Sequence, residues 1–378
     1  MSVRPIVGVS LAGLGGLVLG FALGRSAAPA PVPPVEPSQP VPAAAPEMEA
    51  SSVGATITVS EPRSSLVFHP FLTVDRASAR AVSTAELVLR GLETGDAAVL
   101  RQARDSYLEL EAVENFGGEY PTLRWLCDYL LAEPGRQRTL LENDDARRFV
   151  DLFGRDEWAL LEEYIAAKYG LGPMDRERLW YLDEIVRFNS PYRGAWERSE
   201  RVLELLELEP GMEVADVGAG AGFYSFRFAD RVGSDGQVYA LEMNDLHLAY
   251  LRRVAQAEGL TQLAAIATDG AFPDFPEGSL DRVFLCATYQ SLYLSVRDSE
   301  RAAWLEGVRS ALAPDGLLVV VDNEPVLEPG VPPFGGISLS RSLVQAQLEA
   351  SGFELVAAES LVPQRYALVL RKATTLGR

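Results

Sequence analysis

The sequence predicts an α/β fold for its C-terminal half: an open, doubly wound sheet of seven strands with helices on both faces. An all-α segment precedes it, and an apolar helix opens the chain. Three observations carry this reading. After Gly211, short apolar runs bounded by turn residues alternate with stretches of helical spacing. The run Val214-Ala215-Asp216-Val217-Gly218-Ala219-Gly220-Ala221-Gly222-Phe223-Tyr224-Ser225 joins one such strand to a helix through a glycine-rich bend. Residues 61–172 instead carry apolar positions at three- and four-residue steps.

In chain order, residues 1–25 form the first element. From Pro5 to Gly24 the chain is uncharged and predominantly apolar, about the length that crosses hydrocarbon, with Arg4 before it and Arg25 after it. It reads as a transmembrane or signal helix. Ala28 and Ala30 resemble signal-peptidase sites, but each is followed by a proline that hinders cleavage, so a retained anchor is expected. Gly8, Ala12, Gly16, Gly20 and Gly24 recur every four residues, a small-residue face suited to self-association. Residues 26–60, rich in Pro, Ala and Val, read as a disordered linker.

In the helical domain, residues 61–172, Leu87-Val88-Leu89, Tyr107-Leu108-Glu109-Leu110 and Trp125-Leu126-Cys127-Asp128-Tyr129-Leu130 show the spacing. Gly117-Gly118-Glu119-Tyr120-Pro121 interrupts it and starts a new helix; further helices fit 144–153 and 156–169, closed by Gly170 with Pro173 beyond. Residues 173–378 form the α/β domain. Strands are expected near 213–217, 238–242, 264–268, 281–286, 316–322, 353–359 and 365–370, and helices over 195–206, 223–231, 245–258, 298–312 and 340–351. Pro314-Asp315-Gly316 is the stop and turn after the fourth of these helices.

The glycine bend is the most informative motif. Ligands of open α/β sheets sit beyond the carboxyl ends of the strands, where a strand turns sharply into a helix. Gly218, Gly220 and Gly222 allow positive φ and close backbone approach. The spacing is G-x-G-x-G, not that of dinucleotide binders, and Asp216 stands just ahead of it. A carboxylate there repels a pyrophosphate and favours a ligand with an amino group and a cationic sulfur. Val238-Tyr239-Ala240-Leu241-Glu242 reads as the next strand ending in an acid, and Glu242 suits the two hydroxyls of a ribose.

The segment from about Arg193 to Leu370 resembles a class I S-adenosylmethionine-dependent methyltransferase, nearest to the ubiquinone/menaquinone C-methyltransferase-like group. The matching pieces, in order, are Pro210 to Gly220, Gly236 to Glu242, Asp281-Arg282-Val283-Phe284-Leu285, and Leu312 to Asp322. The resemblance implies a seven-stranded, doubly wound, Rossmann-like methyltransferase sheet whose last two strands form an antiparallel hairpin through Val362-Pro363. It implies S-adenosylmethionine as cofactor, with Asp216 and the loop of Gly218, Gly220 and Gly222 at the methionine part, Glu242 at the ribose and Asp269 at the adenine amino group. Ala287, Thr288 and Tyr289 would border the sulfonium and the acceptor, Tyr289 adding cation–π stabilisation, and the region of Tyr192 and Trp196 would lid the pocket.

Related enzymes often carry histidine after the fourth strand, where this chain has Tyr289-Gln290-Ser291-Leu292-Tyr293. Gln290 hydrogen-bonds an acceptor but removes no proton, so an acidic acceptor such as a phenol or enol is favoured. Methyl transfer is an in-line displacement with an activated leaving group, so alignment supplies much of the catalysis and a general base is optional. The two histidines, His69 and His247, read as surface or packing residues, and Cys127 and Cys286 as buried, unpaired thiols with no metal-ligand spacing.

A formal net charge of -19 disfavours nucleic acid as a partner. The expected activity is methyl transfer to a small or lipophilic acceptor met at a membrane; the competing reading is a membrane-tethered, non-catalytic cofactor-binding or interaction protein. Arg4 with the amino terminus favours a cytoplasmic N-terminus and places the domain outside, Arg25 permits the reverse, and the cofactor favours the inside.

Overall fold

The structure is a computed structural model that describes residues 78–113, 118–325 and 338–373. The apolar stretch 5–24, its small-residue face, the linker and His69 lie outside the described residues. No helix among the described residues is long and apolar enough to cross a membrane.

Nine helices precede the first strand within the described residues: α1 (Ala79–Thr94), α2 (Ala97–Val113), α3 (Glu119–Leu131), α4 (Pro134–Leu140), α5 (Asp144–Phe153), α6 (Ala159–Lys168), α7 (Arg176–Phe188), α8 (Arg193–Glu197) and α9 (Ser199–Leu206). Their ends follow local chemistry. The Ser78 hydroxyl accepts from Ala81 N, Asn143 Oδ1 from Asp145 N and Ala146 N, and Asp175 Oδ1 from Arg178 N, each satisfying amide donors of a first turn. Gly118, at φ 96°, starts α3 where the glycine pair interrupts the helical spacing. The helix expected over 156–169 begins only at Ala159, because Glu157 and Trp158 adopt left-handed φ of 52° and 67°. The single helix expected over 195–206 is two, broken at Arg198 with φ 57°. Helix α7 was not anticipated, although it forms a wall of the site.

The α/β part runs β1 (Glu213–Val217), α10 (Phe223–Val232), β2 (Gln237–Glu242), α11 (Asp245–Glu258), β3 (Leu263–Ala267), β4 (Leu280–Cys286), α12 (Tyr289–Ser295), α13 (Asp298–Ala311), β5 (Leu312–Asn323), α14 (Arg341–Ala350), β6 (Phe353–Val362) and β7 (Arg365–Lys372). The seven strands are ordered β3-β2-β1-β4-β5-β7-β6. The first five pair in parallel, and β7 pairs antiparallel with both β5 and β6, giving the expected terminal hairpin. β5 starts at Leu312, ahead of the expected turn, and its pairing with β4 shifts register between Leu280 and Arg282.

Strand side chains alternate between two cores, as a sheet covered on both faces requires. Phe284, Val319, Val321, Ala367 and Val369 face the core shared with α9, α10 and α11. Val283, Leu285, Leu318, Val320 and Leu368 face the core shared with α12, α13 and α14. The first core continues into the helical segment, where Tyr107, Trp125, Phe149 and Tyr164 belong to the same cluster, so the boundary drawn at 172/173 crosses continuous packing. Polar contacts fasten the segments as well: Arg148 Nη2 donates to Glu258 Oε2 at 2.6 Å, and Arg227 Nη1 to Asp145 Oδ1 at 3.1 Å.

A buried polar cluster fixes α7. Lys168 Nζ donates to Asp183 Oδ1 at 2.6 Å, Tyr164 Oη to the same oxygen at 2.8 Å, and Thr122 Oγ1 to the carbonyl of Val186 at 2.9 Å. A buried carboxylate is stable only with such partners. The helix is thereby held with Trp180, Glu184 and Phe188 along a cleft at the strand tips.

Candidate active site

The cleft has a volume of about 520 Å³ and lies beyond the carboxyl ends of β1, β2, β4 and β5. Asp216, near the end of β1, and Glu242, closing β2, both line it, with Gly218 and Gly220. The glycine bend is built by hydrogen bonds to the neighbouring strand: Gly218 N and Ala219 N both donate to the carbonyl of Leu241, at 2.9 and 3.0 Å. Gly220 N donates to Glu242 Oε2 at 2.7 Å, and the other carboxylate oxygen accepts from Met243 N at 2.7 Å and Asn244 N at 2.9 Å.

The three glycines do different work, although all have positive φ, at 72°, 55° and 86°. A Cβ on Gly218 would lie 2.5 Å from Thr288 Oγ1, so this glycine lets β1 and the turn after β4 meet. A Cβ on Gly220 would meet nothing within 4 Å. A Cβ on Gly222 would lie 2.4 Å from Leu251 Cδ2, and Gly222 does not line the cleft. Its place among the cofactor-binding residues is therefore corrected: it allows α10 to pack against α11.

Burial pushes the Asp216 carboxyl up to about 7, against the opposing hydrogen bond from Ser225 Oγ at 2.5 Å and the pull of Arg193. The nearby charge of Glu242 pushes the same way as burial. An acid held in this state gains from a cationic group placed beside it.

After β4 the chain makes a strained turn. Ala287 has φ 55° without being glycine, and its N–H donates to the carbonyl of Val321 at 2.8 Å. Thr288 Oγ1 donates to the carbonyls of Val217 and Cys286, both at 3.1 Å, and Thr288 lines the cleft. Gln290 also lines it; its N–H donates to Asp322 Oδ2 at 3.0 Å and its Nε2 to the carbonyl of Ala287 at 3.3 Å.

Two further expectations are corrected. Tyr289 is fully buried in the core on the α14 side, where its hydroxyl donates to Gln347 Oε1 at 2.9 Å, so its ring does not face the cleft. The turn of α12 that brings Gln290 to the cleft carries Tyr289 away from it. Asp269 accepts from Ala271 N at 3.0 Å as a turn residue, and the cleft is lined there by Thr268, Gly270 and Ala271 instead.

Several lining residues escaped the sequence reading. Trp180 and Phe188 supply the aromatic surface expected of Tyr192 and Trp196, which are not among the lining residues. Arg124 sits over the Tyr192 ring at 5.4 Å, and Trp196 packs against Gly118 and Arg365. His247 is buried, as a packing residue would be, yet also reaches the cleft; its Nε2 lies 2.5 Å from Glu184 Oε2 of α7. Cys286, expected to be a buried thiol, lines the cleft between Arg193 and Arg365. The pair Arg193 and Glu197, four apart on one helical face, was the legible signal for this cluster.

Residues 214–316 match the family model of a methyltransferase domain. The chain is 35% identical over 85 residues to nocamycin O-methyltransferase of Saccharothrix syringae, covering 22% of this chain and 30% of that protein. It is 28% identical over 157 residues to protein-L-isoaspartate O-methyltransferase of Methanothermobacter thermautotrophicus (40% and 64%). It is 29% identical over 133 residues to a ubiquinone/menaquinone biosynthesis C-methyltransferase of Bordetella avium (35% and 49%). The chain thus spans less than two thirds of the length of each. A solved S-adenosylmethionine-dependent methyltransferase from Aquifex aeolicus superposes with a TM-score of 0.44 at 24% identity, over 52% of this chain and 98% of that one.

The residues present fit the cofactor such domains use. Asp216 presents a carboxyl suited to a cation, Glu242 a carboxylate at the next strand tip, and Gly220 an open backbone between them. The C-terminal half of this chain carries a class I S-adenosylmethionine-dependent methyltransferase domain, with S-adenosylmethionine as its cofactor.

Proposed function

We propose that the protein transfers a methyl group from S-adenosylmethionine to a small or lipophilic acceptor. The observation that carries this is the shared cleft: two acids at adjacent strand tips, Asp216 and Glu242, and the β4 and β5 tips, with Thr288, Gln290 and Asn323, line one continuous hollow. The names of relatives support a small acceptor, since nocamycin, aklanonic acid and ubiquinone/menaquinone enzymes are among the matched proteins. The apolar stretch 5–24 supports a membrane tether, and with it an acceptor drawn from the lipid phase.

The cofactor supplies an electrophilic methyl group on a leaving group that needs no further activation. The chain's own residues bind, orient and exclude water. Glu242 would take the ribose hydroxyls and Asp216 the cationic methionine end, fixing the donor's two ends on neighbouring strands. Thr288, tied to both β1 and β4, holds the wall between donor and acceptor. Gln290 offers a hydrogen bond to the acceptor without taking its proton. Trp180 and Phe188 line the cleft from the α7 side and exclude water there. Holding two reactants in line lowers the barrier by removing their translational and rotational freedom before reaction.

Two measurements test the reading. Titration calorimetry of the full chain should show S-adenosylmethionine binding, and radiolabel from the methyl group should pass into a lipid-extractable product when membrane extract is added. Absence of cofactor binding rejects the proposal; binding without transfer to any extract supports the non-catalytic alternative.

A further inference from the structure

Two arginine donors converge on a sulfur atom at the β4–β5 side of the cleft. Arg193 Nη2, from α8, lies 3.3 Å from Cys286 Sγ, and Arg365 Nη2, from the start of β7, lies 3.1 Å from it. Both guanidiniums also grip Glu197: Arg193 Nε donates to Oε2 at 2.6 Å and Arg365 Nη2 to Oε1 at 2.7 Å. The Tyr224 hydroxyl adds a third donor to Glu197, at 2.9 Å. Arg365 Nη1 further donates to Asn323 Oδ1 at 3.2 Å. Arg193, Cys286, Asn323 and Arg365 all line the cleft.

A thiol sulfur is a weak acceptor, and burial, reinforced by Glu197, pushes the Cys286 thiol up to about 12, so the sulfur stays neutral. Beyond Glu197 Oε1, which Arg193 Nη2 reaches at 3.3 Å, Arg365 Nη2 at 2.7 Å and the Cys286 thiol at 3.6 Å, the two Nη2 groups share a weak acceptor on the cleft wall. An oxyanion arriving beside Cys286 would exchange those contacts for charge-assisted hydrogen bonds, about twice as strong as neutral ones. The place also suits the second reactant. Glu242 ends β2, while Asn323 ends β5, three strand spacings or roughly 14 Å along the tips. The contact between Gly218 and Thr288, at the β1–β4 junction, falls between the two.

We infer that the Arg193–Cys286–Arg365 corner is an oxyanion subsite that takes the methyl acceptor in its deprotonated form, as a phenolate, enolate or carboxylate. This rests on the methyltransferase reading and names its substrate class. The acceptor's proton leaves to solvent before reaction. A lone pair of the anion then forms the bond to the methyl carbon, while the carbon–sulfur pair returns to sulfur, so anion and sulfonium become two uncharged groups. No side-chain base is needed, which accounts for glutamine rather than histidine at position 290.

The cofactor's own carboxylate is the other source of the same chemistry, and the experiment separates the two. Full-length protein saturated with S-adenosylhomocysteine is titrated with 4-nitrophenolate and with 4-nitroanisole, which share a ring and differ in charge, the first being followed by its absorbance. The expected result is at least about tenfold tighter binding of the phenolate, the size set by a hydrogen bond to a charged group. The bound phenol should also ionise at lower pH than the free one. Arg365→Gln should abolish the preference while S-adenosylhomocysteine affinity stays within about twofold. Cys286→Ala, which leaves both guanidiniums in place, should keep it.

Equal affinity for the two probes, or binding of neither, overturns the subsite, and this wild-type comparison stands whether or not a variant folds. A loss of S-adenosylhomocysteine affinity in Arg365→Gln assigns the corner to the cofactor's carboxylate and overturns it too, leaving the enzyme reading intact. Failure of the wild-type protein to bind S-adenosylhomocysteine rejects the enzyme reading itself, and the subsite with it.

Discussion

Glu242 Oε2 accepts the backbone N–H of Gly220 at 2.7 Å, so the acid at the end of β2 holds the bend that follows β1. The same carboxylate caps the turn into α11 through Met243 N and Asn244 N. One side chain thereby sets the spacing between the bend after β1 and the tip of β2, where the ribose is proposed to sit.

Replacing Glu242 with Ala removes both its acceptor oxygens and its support of the loop. The expected loss of S-adenosylmethionine affinity is about 1.5–3 kcal/mol, as for a hydrogen bond involving a charged group. Glu242→Gln, which keeps one oxygen for Gly220 N, should lose less. Calorimetry on both variants decides the matter: equal losses would mean that the oxygen kept for Gly220 N contributes nothing and that the carboxylate's charge and second oxygen carry the whole effect.

Gly218 and Gly222 should respond differently to the same substitution. Gly218→Ala meets Thr288 Oγ1 at 2.5 Å and Cγ2 at 2.9 Å with φ held at 72°, so stability should fall by roughly 1–3 kcal/mol and cofactor affinity with it. Adding Thr288→Ala clears the clash but not the backbone strain, and should restore part of the loss. Gly222→Ala meets Leu251 and Phe226, so the folded state should weaken while the affinity of the remaining folded protein stays near wild type. Thermal melts paired with calorimetry separate these effects; identical behaviour of the two glycines would refute the division of labour.

These contrasts mark what local sequence conveys. Strand ends, the glycine bend, Asp216 and Glu242 were legible because each lies within one contiguous run whose period and turn residues are local. Tyr289 and Asp269 were misplaced because one residue along a short helix or turn reverses a side chain's direction, and only packing against Gln347 or the amide of Ala271 fixes which way it points. The Arg365–Cys286–Arg193 corner showed only its local Arg193–Glu197 pair; Arg365 and Arg193 lie 79 and 93 positions from Cys286, and topology alone brings them to it. His247 showed helical placement but not its partner, since Glu184 sits 63 positions away on a helix that the apolar spacing did not announce.

Glu197 bridges two buried guanidiniums, and its removal should be costly. Burial alone would raise its carboxyl, but Arg193 and Arg365 override that and hold it down to about 2. Because the folded value lies below the ordinary one, the stabilisation is fully present above about 4.5 and is lost only as pH falls through about 2. Glu197→Ala removes the carboxylate from between the guanidiniums and should cost about 3–5 kcal/mol, as when a buried ion pair loses one member. Chemical denaturation at neutral pH measures this, and a change under about 1 kcal/mol would show the cluster to be loosely held.

Asp216 carries the opposite sign. Its folded value, about 7, lies above the ordinary carboxyl value of 3.8, so between those limits the native state keeps a proton that the unfolded chain has lost. Stability should therefore decline as pH rises from 3.8 towards about 7, and Asp216→Asn should raise the melting temperature at neutral pH. Binding runs the other way. A cation seated beside Asp216 favours the ionised form, so S-adenosylmethionine should displace a proton below about 7 and bind more weakly as pH falls. Calorimetry in buffers of different ionisation heat counts that proton directly. Asp216→Asn should abolish the release and flatten this part of the pH profile, leaving a more stable protein with a poorer site. Proton release unchanged in that variant would move the titrating group elsewhere in the cleft, with His247 beside Glu184 the first alternative to test.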